Sequence, residues 1–221
     1  MNAPNEIKKL WQIIATADSS IREMRALWPA GIAPAKHPIT NHFRAKNYPL
    51  VEARKSAFET QALKLNQDGY NIYIVMNPIA ATFTGSAATD DDIRHRELLL
   101  IDIDRTAAKK EPATDDEVQA ASDLAQTVRD YLGQLNWPEP IRVMSGNGHH
   151  LYYVLPDMPN DAQTKGLVQS LLKQLAAEFD NATVKIDTTV FNASRITKVV
   201  GTIARKGMES QGRPYRMAQV L

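Results

Sequence analysis

The run Leu98-Leu99-Leu100-Ile101-Asp102-Ile103 constrains this chain more than any other stretch, because it is apolar without alternation apart from one aspartate. A strand of that kind is buried on both faces, so the fold must supply a covering layer on each side of it. Asp104 follows Asp102 at the strand's end. The two-residue period of a strand puts both carboxylates on one face, one step apart, where they can share a cation. Two readings stand side by side. Either the pair is solvated with Arg105 balancing it, or the cost of two like charges at the mouth of an apolar strand is relieved by a bound cation.

Around that strand, helical and extended patterns interleave. Thr114 and Glu117 form a capping box ahead of Val118, Ala121, Leu124, Ala125, Val128, Leu132 and Leu135 at helical spacing. Residues 141–144 and 150–155 read as strands joined by Ser145-Gly146-Asn147-Gly148, and Leu167, Val168, Leu171, Leu172, Leu175 and Phe179 mark a further helix. Strands are expected at 70–76, 184–187, 196–200 and 216–221, and a helix at 51–65. Residues 5–28 read as helical in two pieces broken near Asp18 to Ser20, followed by a proline-bearing segment to Pro49. The expectation is an α+β arrangement with a mixed or antiparallel sheet. At 221 residues the chain holds one domain or two intimately packed subdomains.

Zero cysteines exclude disulfides, a thiolate nucleophile, an iron–sulfur cluster and a cysteine-ligated zinc. With 26 Lys+Arg against 25 Asp+Glu, net charge +1 announces no nucleic-acid partner, so a basic footprint must come from local clustering. It does. From Thr189 onward the bases Arg195, Lys198, Arg205, Lys206, Arg213 and Arg216 face only Glu209. For Arg213 and Arg216 a solvated face is an equal reading; Arg195 and Lys198 bracket apolar residues in a strand pattern near Asp187, where an anionic ligand explains them. The uncharged stretch 69–89 is broken by Asn71, Asn77, Pro78 and Gly85 and does not read as a membrane span, and no secretory signal is visible. A cytoplasmic protein without a membrane partner is expected.

The loop Ser145-Gly146-Asn147-Gly148-His149-His150 is open to two readings, a phosphate-seating turn or an ordinary hairpin with two histidines. Adjacent strand residues point to opposite faces, so only one of the histidines can serve a site.

Together, Asp102-x-Asp104, the Ser145-Gly146-x-Gly148-x-His150 loop, and Asp187 followed by Asn192-x-x-Arg195 and Gly201-Thr202 resemble the motifs of the archaeo-eukaryotic primase superfamily, in its primase-polymerase branch of phages, plasmids and mobile elements. The resemblance implies a catalytic core over 51–221, an N-terminal α/β subdomain apposed to an RNA-recognition-motif-like one, with the site between. Residues 1–50 form a helical segment, part of that core or accessory to it. It further implies that Asp102, Asp104 and Asp187 bind two Mg²⁺ or Mn²⁺ ions, with no zinc. Ser145, Gly146, Gly148, His150, Arg195 and Lys198 then contact a nucleoside triphosphate, His150 also counting among the catalytic residues. Arg205, Lys206, Arg213 and Arg216 are left for single-stranded DNA template. Such a chain is a DNA primase or polymerase, a template-dependent nucleotidyltransferase that makes or extends primers in DNA replication, working with a helicase fused to it or separate. One departure is Gly148, where many members carry serine.

Two other classes compete. A two-metal nuclease also uses three acids but has no triphosphate to hold, which leaves Arg195 and Lys198 unexplained. A non-catalytic replication-initiator or DNA-binding module would tolerate loss of a triad acid, and none is lost.

Overall fold

The computed structural model describes residues 3–14, 21–106 and 110–221. Four helices and eleven strands occur there: α1 (Ala3–Ile14), β1 (Ile21–Leu27), β2 (Ile39–Arg44), α2 (Val51–Gln67), β3 (Asn71–Val75), β4 (His95–Arg105), α3 (Asp115–Gln134), β5 (Ile141–Met144), β6 (His149–Pro159), α4 (Ala162–Phe179), β7 (Val184–Ile186), β8 (Ile196–Lys198), β9 (Ile203–Ala204), β10 (Arg216–Met217) and β11 (Gln219–Val220). All strand pairings are antiparallel. The fold is α+β, as expected. None of these helices is long and apolar enough to cross a membrane.

A four-stranded sheet runs β2-β1-β3-β8, and a five-stranded sheet runs β11-β5-β6-β4-β7. In the second, the chain order β4-α3-β5-β6-α4-β7 with central strands β4 and β6 is that of an RNA-recognition-motif-like unit. Its keystone is β4. Leu98 through Ile101 and Ile103 are nearly inaccessible, with α3 on one face and β8 of the facing sheet near the other, so burial on both sides is what the unbroken run demanded. The Thr114 and Glu117 capping box forms and starts α3. A short hairpin of β9 and β10 closes over the end of the molecule, where the Gly207 amide donates to the Ala30 carbonyl (2.9 Å).

The N-terminal reading needs correction. Residues 21–27 are a strand, not the second piece of a helix, and β1 lies in the interior of its sheet between β2 and β3. Its sequence, Ile-Arg-Glu-Met-Arg-Ala-Leu, is built from good helix formers, yet Arg22, Glu23, Met24 and Ala26 are all buried. Tertiary pairing overrides local propensity here. The predicted break at Asp18 to Ser20 falls outside the described residues. A second strand, β2, sits inside the proline-bearing segment. Helix α1 packs on α2 and reaches the other sheet, where Glu6 accepts from the Val220 amide (2.8 Å).

Candidate active site

The two sheets face each other across a cleft of about 450 Å³. Strand β4 delivers Asp102 and Asp104 to it, and Leu100 lines it one step earlier. The opposite face of β4 carries Arg105 into the protein, where it pairs with Glu117 of α3 (2.7 Å). The alternation read from the sequence therefore sorts site from core. Asp187 joins through the backbone: its amide donates to the Asp102 carbonyl (2.8 Å), and its Oδ1 accepts from the Thr189 amide (2.8 Å) and hydroxyl (2.7 Å). All three predicted acids line one cleft.

His150 sits on β6 as the direct partner of Asp102, its Nε2 3.4 Å from Asp102 Oδ1. His149 leaves the other face, is 4% exposed, and is pushed down to about 4 by burial and then by His150 and Arg142. The two histidines point to opposite faces, as the strand period requires, and it is His150 that lines the cleft.

The glycine loop contributes less directly than expected. Ser145 and Asn147 line the cleft, but Gly146 and Gly148 do not. Gly146 (φ +105°) gives its amide to Met144 Sδ, and a Cβ there would run into Ala204; a Cβ on Gly148 would overlap the Ile103 carbonyl. These glycines let the loop press against β4 and β9. Asn147 Oδ1 also takes the Ala113 amide (2.8 Å) ahead of α3.

The four-stranded sheet supplies the cations. Lys198, paired in register with Tyr73, is 4% exposed, donates to the Ile203 carbonyl (3.1 Å) and lies 5.6 Å from the Tyr73 ring centre. Burial, with Arg205 adding repulsion, brings its ammonium down to about 7. The Tyr73 phenol is pushed up to about 12, first by burial and then by Asp102 and Asp104. Arg195 Nη2 donates to the Thr189 carbonyl (2.6 Å), folding the guanidinium onto the segment that starts at Asp187.

The four bases assigned to template divide. Arg205 and Lys206 line the same cleft, Lys206 Nζ standing 3.9 Å from Asp104 Oδ2. Arg213 and Arg216 are instead drawn to the acidic first turn of α3, Arg213 to Glu117 (2.9 Å) and Arg216 to Asp115 (2.6 Å). Sequence reasoning missed Tyr73, Thr197 and Trp28, which also line the cleft. No motif marks them; each is an ordinary strand or strand-end residue until the sheets are apposed.

Three carboxylates are hard oxygen donors suited to Mg²⁺ or Mn²⁺, and Asp102, Asp104 and Asp187 are the residues here that could hold such ions. Among the described residues no three acidic or histidine side chains already stand at coordination spacing.

No protein-family model matches the chain, and neither does any curated protein. Solved structures do. The archaeo-eukaryotic primase domain of the cyanophage S-2L primase-polymerase matches with a TM-score of 0.54 and 17% identity, over 98% of this chain and 88% of that one. Primase RepB′ matches at 0.53 and 13%, over 99% and 56%. The polymerase domain of Mycobacterium tuberculosis Ligase D, in complex with DNA, matches at 0.53 and 15%, over 97% and 79%. The likeness is one of fold, and the fold is archaeo-eukaryotic primase-like.

Proposed function

We propose that this chain is a template-dependent nucleotidyltransferase, a DNA primase or primase-polymerase that makes or extends primers on single-stranded DNA. The observation that carries the reading is the apposition in one cleft of Asp102, Asp104 and Asp187 with His150, Arg195 and Lys198. A nuclease has use for the acids but no triphosphate for the buried Lys198 and the Arg195 set across from them to hold. The names of the structural neighbours, primases and polymerases, support the same class.

In this reading the three aspartates hold divalent metal, Mg²⁺ or Mn²⁺. Bound there, such ions would supply Lewis-acid activation of a hydroxyl nucleophile and charge neutralisation for phosphoryl transfer. The chain's own groups do the rest. Arg195 and Lys198 answer the triphosphate's charge, and His150 offers Nε2 to the same space. Arg205 and Lys206, in the cleft wall, extend the positive surface toward the nucleic acid.

The test is extension or synthesis on a single-stranded DNA template with ribo- or deoxyribonucleoside triphosphates and Mg²⁺ or Mn²⁺, resolved on a denaturing gel. Incorporation by the wild type and none by Asp102→Ala is the expected result. No incorporation with either nucleotide set and either metal overturns the reading.

A further inference from the structure

His150 is not held by Asp102 alone. Its Nδ1 lies 2.9 Å from the Tyr152 hydroxyl, which makes a short hydrogen bond with the Thr197 hydroxyl; Thr197 Oγ1 is also 3.4 Å from Nδ1. Tyr152 is wholly buried on β6, two residues along the same face, and Thr197 is 2% exposed on β8 of the facing sheet. The triangle therefore crosses from one sheet to the other directly behind the cleft.

Proton counting decides how it is wired. Two hydroxyl hydrogens must be placed among three buried atoms, and buried donors are rarely left without an acceptor. If Nδ1 carried a hydrogen, it would accept from neither hydroxyl, and one hydroxyl hydrogen would have no acceptor within the triangle. If Nδ1 is bare, both are placed: Thr197 donates to Tyr152, and Tyr152 donates to Nδ1. Burial also pushes the Tyr152 phenol well above its usual range, so it keeps the hydrogen it must give. A neutral imidazole with Nδ1 bare carries its hydrogen on Nε2, the nitrogen facing Asp102 and the cleft.

We propose that Tyr152 and Thr197 are positioning residues that fix His150 in the Nε2–H tautomer and aim that donor into the cleft, at an oxygen of an incoming nucleotide's phosphates. The tautomer half of this stands on the hydrogen bonds alone; the phosphate half rests on the nucleotidyltransferase reading.

The experiment therefore has two arms. Two-bond ¹H–¹⁵N correlation spectra of the full chain, at a pH where imidazoles are neutral, read which ring nitrogen of His150 is bare. Nδ1 bare in the wild type, with both tautomers populated in Tyr152→Phe and in Thr197→Val, is expected. A wild-type Nδ1–H form, or spectra unchanged by both substitutions, overturns the assignment, and does so whether or not the chain polymerises. The second arm measures nucleotide incorporation. Tyr152→Phe keeps the ring and loses one hydrogen bond, so KM for the nucleotide should rise roughly three- to tenfold. In a His150→Ala background the same substitution should add nothing. An equal effect in both backgrounds would make Tyr152 a packing residue only. Failure of this arm with the spectra as expected would remove the phosphate role and leave the wiring in place.

Discussion

His150 stands directly across the β4–β6 pairing from Asp102, and its Nε2 comes within 3.4 Å of the Asp102 carboxylate. Two motifs far apart in sequence thus share one register position in space. Asp187 is brought to the same point by its amide, which donates to the Asp102 carbonyl. Strand β4, buried on both faces, is accordingly the reference for the whole site.

Asp102→Ala, Asp104→Ala and Asp187→Ala should each bring nucleotide incorporation below detection while the protein keeps its fold. Asp102→Ala and Asp104→Ala each remove one of two like charges from the same strand face, so their metal-free melting temperature should hold or rise. Gel extension and a thermal melt on the same samples check both halves. Full activity of Asp102→Ala with Mg²⁺ would sink the metal assignment.

His149 should matter for stability and not for substrate. Burial holds it down to about 4 against an ordinary 6.5, so the unfolded chain takes up a proton that the folded one refuses as pH falls through that window. More protons on the unfolded state means stability lost toward acid. His149→Gln should flatten the denaturation midpoint between pH 6.5 and 4 and leave nucleotide KM unchanged. His150→Ala should do the reverse, raising KM and lowering turnover. A swapped pair of outcomes would place the site on the α3 face of β6.

Arg195→Ala should weaken nucleotide binding by about 1.5 to 3 kcal/mol, the usual worth of a charged hydrogen bond. Arg195→Lys should be nearly as impaired. The guanidinium holds the Thr189 carbonyl with one nitrogen, and on the proposed reading the others would meet phosphate, a division that a single ammonium cannot reproduce. Single-stranded DNA affinity without nucleotide should change little. Paired titrations of DNA and of a nucleoside triphosphate decide it; loss of DNA binding alone would move Arg195 to the template path.

What could be read in advance follows physical lines. The apolar run, the capping box and the glycine turn are local signals, and β4, α3, β5 and the start of β6 formed near where they pointed. Strand β1 carried no such signal, because its buried positions include Arg22 and Glu23, and Glu23, besides its near neighbour Arg25 (2.6 Å), is satisfied by partners farther along the chain: His42 (2.9 Å) and the Ala88 amide (2.8 Å). Within the site, the Asp102 and Asp104 pair was legible from strand period, while Asp187 needed the family pattern, since a backbone bond between distant segments leaves no periodic trace. The basic run did not foretell the ion pairs of Arg213 and Arg216, because their partners Glu117 and Asp115 belong to a helix start about a hundred residues earlier, where Glu117 was read only as part of a capping box.

Lys198 poses the sharpest conflict between fold and function. Its ammonium is buried and brought down to about 7 from 10.5, first by loss of water and then by Arg205. The folded protein releases this proton near pH 7, whereas the unfolded chain keeps it until about 10.5, so through that window the unfolded state binds more protons and stability rises with pH. Lys198→Met should therefore melt higher than the wild type, with the gain greatest at and below pH 7 and shrinking toward pH 10. Little is forfeited in exchange. The Ile203 carbonyl that Lys198 contacts also accepts from Asn66 Nδ2 (2.9 Å), so the substitution strands no buried acceptor. The same variant should bind nucleoside triphosphate more weakly, because it removes a cation from the cleft wall. Melting curves across pH 6 to 10, with a nucleotide titration at one pH, test both statements together. A Lys198→Met protein that melts below the wild type at pH 7, with a parallel pH dependence, would show that the lysine is held by favourable contacts and is not strained in anticipation of an anion.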